Sequence, residues 1–156
     1  MNLKELRISK NITQIQASKF VDIPLRTYKN YENDERKIDS IKYNYIMEKL
    51  NRYGYIDEEH GILTVEEIQK TCTNVFSNYD VEYCYLFGSY AKAKANEKSD
   101  IDLLISTPLT GLDFYGIVEK LRVNLKKKVE LLTVAQLSSN QELVNEILKD
   151  GIKIYG

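Results

Sequence analysis

The 156-residue chain is predicted to fold as two units: an all-α bundle of short helices, then an α/β or α+β domain with a mixed sheet flanked by helices. Three observations carry that prediction. Apolar residues recur at helical spacing through the first third of the chain. Beyond it, β-branched and aromatic runs alternate with helical segments. Charge divides along the same line: through Gly54, eleven Lys and Arg oppose seven Asp and Glu for a net +4, and the remainder carries −5. A basic head joined to an acidic body suggests two tasks, with a polyanion as partner of the first.

In the head, Leu3, Leu6 and Arg7 start a helix ending near Lys10-Asn11. Thr13 can cap a second helix carrying Ala17, Phe20 and Val21. Asp22-Ile23-Pro24 breaks the chain, and Pro24 suits the first turn of a third helix running to about Glu32. Asn33-Asp34 is a turn, and Asp39 or Ser40 opens a fourth helix with Ile41, Tyr45 and Leu50. Six tyrosines between Tyr28 and Tyr55 read as core and helix-packing residues. The polar stretch from Gly54 to Gly61, which holds the lone His60, reads as a linker. Domains are expected at 1–55 and 64–156, with 56–63 between them.

In the body, Thr64 to Glu67 forms a capping box for a helix through about Asn78. Val81 to Phe87 is a strand by composition, Asp100 to Ile105 a second and Lys128 to Val134 a third. Helices fill Leu112–Asn124 and Gln141–Lys149, and Ile152–Tyr155 adds a short last strand. Lys126-Lys127-Lys128 reads as a solvated approach to the third strand.

Composition excludes several classes. Hydrophobic residues at 43% and charged residues at 29% match a soluble globular chain rather than a disordered one. No apolar run is long enough to span a bilayer, and Met1-Asn2-Leu3-Lys4-Glu5 has no signal-peptide core. Cys72 and Cys84 are too few for a disulfide framework and match no zinc spacing. A cytoplasmic protein with reduced thiols and no membrane partner is expected. With His60 the sole histidine and placed in the linker, no Ser-His-Asp or Cys-His site can be built without it.

The stretch with chemistry in it runs from Phe87-Gly88-Ser89-Tyr90-Ala91 to Ser99-Asp100-Ile101-Asp102. A strand ends in Gly-Ser where a helix begins, exposing backbone amides and a hydroxyl to which phosphate oxygens bind. Asp100 and Asp102, two apart on a strand, project from one face. Their repulsion is relieved by a cation, and magnesium prefers such oxygen ligands. Glu130, an acid within the apolar run Val129-Glu130-Leu131-Leu132, completes a three-carboxylate site for two Mg2+ ions if its strand neighbours that of Asp102.

Gly88-Ser89, ten intervening residues, then Asp100-Ile101-Asp102 resembles the signature of the DNA polymerase β-like nucleotidyltransferase superfamily. The Leu-Phe-Gly-Ser-Tyr-Ala context looks like its minimal members, the MNT proteins. The resemblance covers roughly Thr64 to Gly156. It implies ATP as substrate held by Gly88, Ser89 and Lys92, and magnesium held by Asp100, Asp102 and Glu130 as the catalytic acids. Lys92-Ala93 replaces the family's usual Arg-Gly, and Glu130 its commoner Asp; lysine keeps charge near the phosphates without arginine's bidentate fork.

In the head, Thr13-Gln14, the break before Leu25, and Thr27-Tyr28-Lys29-Asn30-Tyr31-Glu32 resemble the XRE-type helix-turn-helix family. That likeness makes Gln14 a phosphate contact. It points Leu25, Arg26, Thr27, Lys29 and Asn30 at bases or flanking phosphates, and makes Tyr31-Glu32 the anchor of the reading helix. Asp22 stands where glycine is usual in the turn. The two resemblances together imply an antitoxin that adenylylates a tyrosine of a HEPN-type toxin and binds its own operator DNA; a homo-oligomer is left open. A non-catalytic antitoxin and repressor ranks second, and a small-molecule nucleotidyltransferase third.

Overall fold

Short polar side chains set three of the four α-helix starts of the first unit. The computed structural model describes every residue from Met1 to Gly156 and divides the chain into Met1–Tyr55 and Ile56–Gly156. Helix α1 (Leu3–Ser9) starts behind Asn2, which accepts the Glu5 amide while the Glu5 carboxylate accepts the Asn2 amide. Helix α2 (Gln14–Phe20) has the same reciprocal box between Thr13 and Gln16. Each box satisfies two amides that would otherwise lack partners. Asp22 adopts φ +59 in the following turn, a left-handed conformation that Asp tolerates and glycine adopts freely.

Pro24 stands at the cap of α3 (Leu25–Asn33), one position earlier than the first turn expected for it. A 3-10 turn, Glu35–Lys37, leads to α4 (Ile41–Asn51), which Ser40 opens. Leu3, Leu6, Ala17, Tyr28, Ile46 and Leu50 form the centre of this unit. Tyr43 is also inside, and its hydroxyl accepts the Leu3 amide. Tyr45 and Tyr55 depart from the expectation for the tyrosines: both are more than half exposed. Tyr45 sits two residues from buried Tyr43 on a helix, so it turns away from the core, and Lys49 approaches its ring instead.

In the second unit, Thr64 and Glu67 cap α5 (Val65–Phe76). There follow β1 (Tyr83–Phe87), α6 (Gly88–Ala91), β2 (Ile101–Ser106), α7 (Gly111–Leu125), β3 (Val129–Thr133), α8 (Gln141–Asp150) and β4 (Ile152–Tyr155). The sheet order is β3-β2-β1-β4. β2 and β3 are parallel, joined through α7, while β1 is antiparallel to both β2 and β4. The sheet is therefore mixed, with helices against it, as the sequence predicts.

Strand alternation gives the sheet two unlike faces. Cys84, Leu86, Ile101, Leu103, Ile105, Leu131 and Ile154 face one way and pack with α5 and α7 into the main core. Phe87 and Leu104 face the other way and meet Ile147 of α8 in a much smaller cluster. That thinner cover is what leaves room for charge: Asp102 is half-buried and Glu130 exposed on this second face. No helix is long and apolar enough to cross a membrane.

Candidate active site

Register builds the site. Phe87, the last residue of β1, pairs with Asp102 of β2, and Asp102 pairs across the parallel ladder with Glu130 of β3. The two carboxyl groups thus stand on adjacent strands within hydrogen-bonding contact of each other. Asp100 lies just before β2 and is exposed. Burial first, then the hydrogen bond and charge of Glu130, then the charges of Asp100 and Glu146, push the Asp102 carboxyl up to about 7. A carboxylate held in such a field is one that a bound cation would relieve.

Gly88 closes the site from the side of β1. It has φ +72, and a Cβ built there would overlap Asp102 Oδ2. Only glycine lets the β1–α6 turn lie flat against that carboxyl group. Gly88→Ala is therefore expected to cost at least about 1–2 kcal/mol of stability through backbone strain alone. Thermal melting of the variant against wild type would read that loss. Ser89 follows in α6, a single turn whose leading amides have no partner inside so short a helix.

The three acids expected to converge do so only in part. Asp102 and Glu130 pair, but no three acids in the chain are grouped closely enough to enclose one ion. Their oxygen chemistry suits a hard divalent cation such as Mg2+, which Asp102 and Glu130 could hold with Asp100 beside them. Lys92 also stands differently from the free phosphate contact expected of it. Its ammonium is 2.6 Å from Glu146 of α8. Glu146 is an acid of this site that the sequence reading missed, because only the packing of α8 beside α6 brings it there.

Lys127 corrects the reading of the Lys126–Lys128 run as solvated. Its side chain is fully buried, and the ammonium donates to the carbonyl oxygens of His60, Gly61 and Glu97 at 3.1, 2.7 and 2.7 Å. The signal was present in the period: Lys127 lies two residues before Val129 and four before Leu131, on the core-facing side of the strand. His60 itself holds Asp57 at 2.8 Å.

In the head, Arg26, Lys29 and Asn30 are exposed at i, i+3 and i+4 of α3, with Thr27 and Gln14 half-buried. At the end of the same helix, the covered Glu32 carboxylate grips Arg7 of α1 at 2.8 Å. Lys37 and Lys42 approach the Tyr31 ring.

A Gly-Ser turn packed on a carboxylate row that crosses neighbouring strands of a mixed sheet is the working end of a nucleotidyltransferase fold. Comparison with known families agrees: residues 70–156 match the polymerase β nucleotidyltransferase family, and residues 3–42 match a helix-turn-helix family. The chain belongs to the polymerase β nucleotidyltransferase family and carries a helix-turn-helix domain at its N-terminal end. Among solved structures, one described as a minimal nucleotidyltransferase is 24% identical with a TM-score of 0.50, over 64% of this chain and 97% of that one. A toxin–antitoxin structure with AMP-PNP is 22% identical with a TM-score of 0.49, over 56% and 73%. A tri-AMPylated Shewanella oneidensis HEPN toxin in complex with MNT antitoxin gives 20% and 0.45, over 58% and 71%. No curated protein matches.

Proposed function

We propose that the protein is the cytoplasmic antitoxin of a HEPN/MNT-type toxin–antitoxin pair. It transfers AMP from ATP to a tyrosine of its partner and binds operator DNA through its head. The observation that carries the reading is the row Asp102–Glu130 with Gly88 pressed against it, in a chain of the nucleotidyltransferase family with a fused helix-turn-helix. Asp100, Asp102 and Glu130 would hold two Mg2+ ions, which when bound neutralise triphosphate charge and favour departure of pyrophosphate. Gly88 and Ser89 offer backbone amides to the phosphates. Lys92 joins them by giving up Glu146.

Incubation of the protein with labelled ATP, Mg2+ and the product of the adjacent gene tests this. Label on a tyrosine of the partner is expected from wild type and none from an Asp100→Ala/Asp102→Ala variant. Equal labelling by both, or none by wild type, removes the enzymatic reading.

The incomplete grouping of the acids and the Lys92–Glu146 ion pair favour one alternative, an antitoxin that neutralises its partner by binding alone. On that reading Asp102→Asn protects cells from the toxin as well as wild type does; on ours it does not. For the head, Arg26→Ala/Asn30→Ala should weaken binding to the gene's own upstream DNA about tenfold or more, since a base contact contributes roughly 1–3 kcal/mol. Binding by wild type should also fall steeply with salt. Unchanged affinity in a mobility-shift titration would remove α3 as the reading helix.

A further inference from the structure

Lys127 is fully buried and forms no ion pair; its ammonium donates to three carbonyl oxygens, with the charges of Asp57 and Glu97 felt only at longer range. Taking an ammonium out of water is costly unless each of its hydrogens finds a partner, and here three carbonyl oxygens supply them. A location chosen at such expense asks what it holds together. One of the three carbonyls, that of Glu97, belongs to the connection between Ala91 and Ile101, the segment that joins the Gly-Ser turn to Asp100. The other two belong to His60 and Gly61 in the segment ahead of α5.

The neighbouring bonds show why the Glu97 contact matters. From Asn96 to Ser99 the connection is a tight turn: the Ser99 amide donates to the Asn96 carbonyl, the Asn96 amide to Ser99 Oγ, and the Lys98 amide to Asn96 Oδ1. On the far side of Asp100, the Ile101 amide donates to the Lys128 carbonyl at 2.9 Å. Asp100 is thus clamped from before by the side chain of Lys127 and from after by the backbone of Lys128. Those two residues lead directly into β3, where Glu130 stands opposite Asp102.

We infer that Lys127 is a positioning residue for the acids proposed to bind metal: it fixes the connection that carries Asp100 to the start of β2, next to Asp102 and Glu130. It does not touch nucleotide or metal. Its effect is to keep the acid on the connection aligned with the acids on the strands, which pair but do not by themselves surround an ion. The inference rests on the nucleotidyltransferase reading of the site.

Isothermal titration of the full-length protein with a non-hydrolysable ATP analogue, at stepped Mg2+ concentrations, tests it. Partners that orient metal ligands from behind typically contribute 10–100-fold to metal affinity. Lys127→Gln, which keeps one donor near the carbonyls, should raise the Mg2+ concentration for half-maximal nucleotide binding about tenfold. Ile117→Val, a core change on α7 at a fully buried position, controls for simple loss of stability and should leave that concentration unchanged. Lys127→Met should shift it further wherever it folds, and Lys127→Gln carries the test where it does not. A Lys127→Gln protein with the wild-type Mg2+ requirement overturns the positioning role. Absence of any Mg2+-dependent nucleotide binding by wild type overturns the underlying reading of the site as well, so the two failures are told apart.

Discussion

Asp102→Asn is expected to end nucleotidyl transfer and, without divalent metal at pH 8, to raise stability by about 1–3 kcal/mol. The carboxyl ordinarily ionises near 3.8 but is pushed up to about 7 by burial and by Glu130, Asp100 and Glu146. The folded state therefore binds this proton more tightly than the unfolded chain does. Asp102 contributes its full stabilising share below about pH 3.8 and loses it as pH rises through about 7. Above that pH it is an ionised group among like charges, and asparagine removes the repulsion while keeping the shape and a donor toward Glu130. The range allows for solvent screening of a half-buried group. Thermal melts at pH 5 and pH 8, with and without Mg2+, check it. The variant's advantage should shrink at pH 5, where wild-type Asp102 carries its proton, and on adding Mg2+, which stabilises only the wild type by binding. Equal melting of the two proteins at every pH would mean that the acid row is not strained.

The second large effect falls in the head. Glu32→Ala should cost about 3–5 kcal/mol, the usual consequence of leaving a buried charge without its partner. The Glu32 side chain is fully covered and that of Arg7 is 14% exposed, with Arg7 Nε 3.1 and 3.2 Å from the two carboxylate oxygens and Nη2 2.8 Å from one of them. The same guanidinium donates to the Ile12 carbonyl at 2.9 Å. One ion pair thus ties α1, the α1–α2 turn and the end of α3 together. Loss of helical signal and of DNA binding at moderate urea concentration would report it. An Arg7→Met/Glu32→Met double variant should recover much of the stability, because an apolar pair of similar volume leaves no charge behind. A Glu32→Ala protein as stable as wild type would show that the pair is neutral to the fold.

Local signals made most of the elements readable. Thr13, Ser40 and Thr64 announce their helices because a side-chain oxygen three residues ahead of an unpaired amide is a local matter. The strands are legible as β-branched and aromatic runs, and the last, Ile152–Tyr155, occupies the residues expected for it. The Gly88-Ser89 and Asp100-Ile101-Asp102 motifs could be read because short spacing fixes them on one turn and one strand. What escaped depends on packing between distant segments. Glu146 reaches Lys92 only because α8 lies beside α6, and no spacing in the sequence contains that distance. Glu130 is seen in the sequence as an acid on a strand; the parallel pairing of β2 and β3 is what sets it beside Asp102. Lys127 was misread because a lysine run suggests solvent, although the alternation into Val129 and Leu131 places it inward.

On the proposed reading, the second face of the sheet seats a nucleoside triphosphate between the Gly88–Ser89 turn and the Asp102–Glu130 row. A crystal grown with Mn2+ and a non-hydrolysable ATP analogue measures this directly, since the anomalous signal of manganese locates the metal independently of the rest. Metal bound by Asp102 and Glu130, with Asp100 drawn in, and phosphate oxygens on the amides of Gly88 and Ser89 are expected. Manganese and triphosphate bound elsewhere, with Asp102 and Glu130 still paired to each other alone, would contradict it.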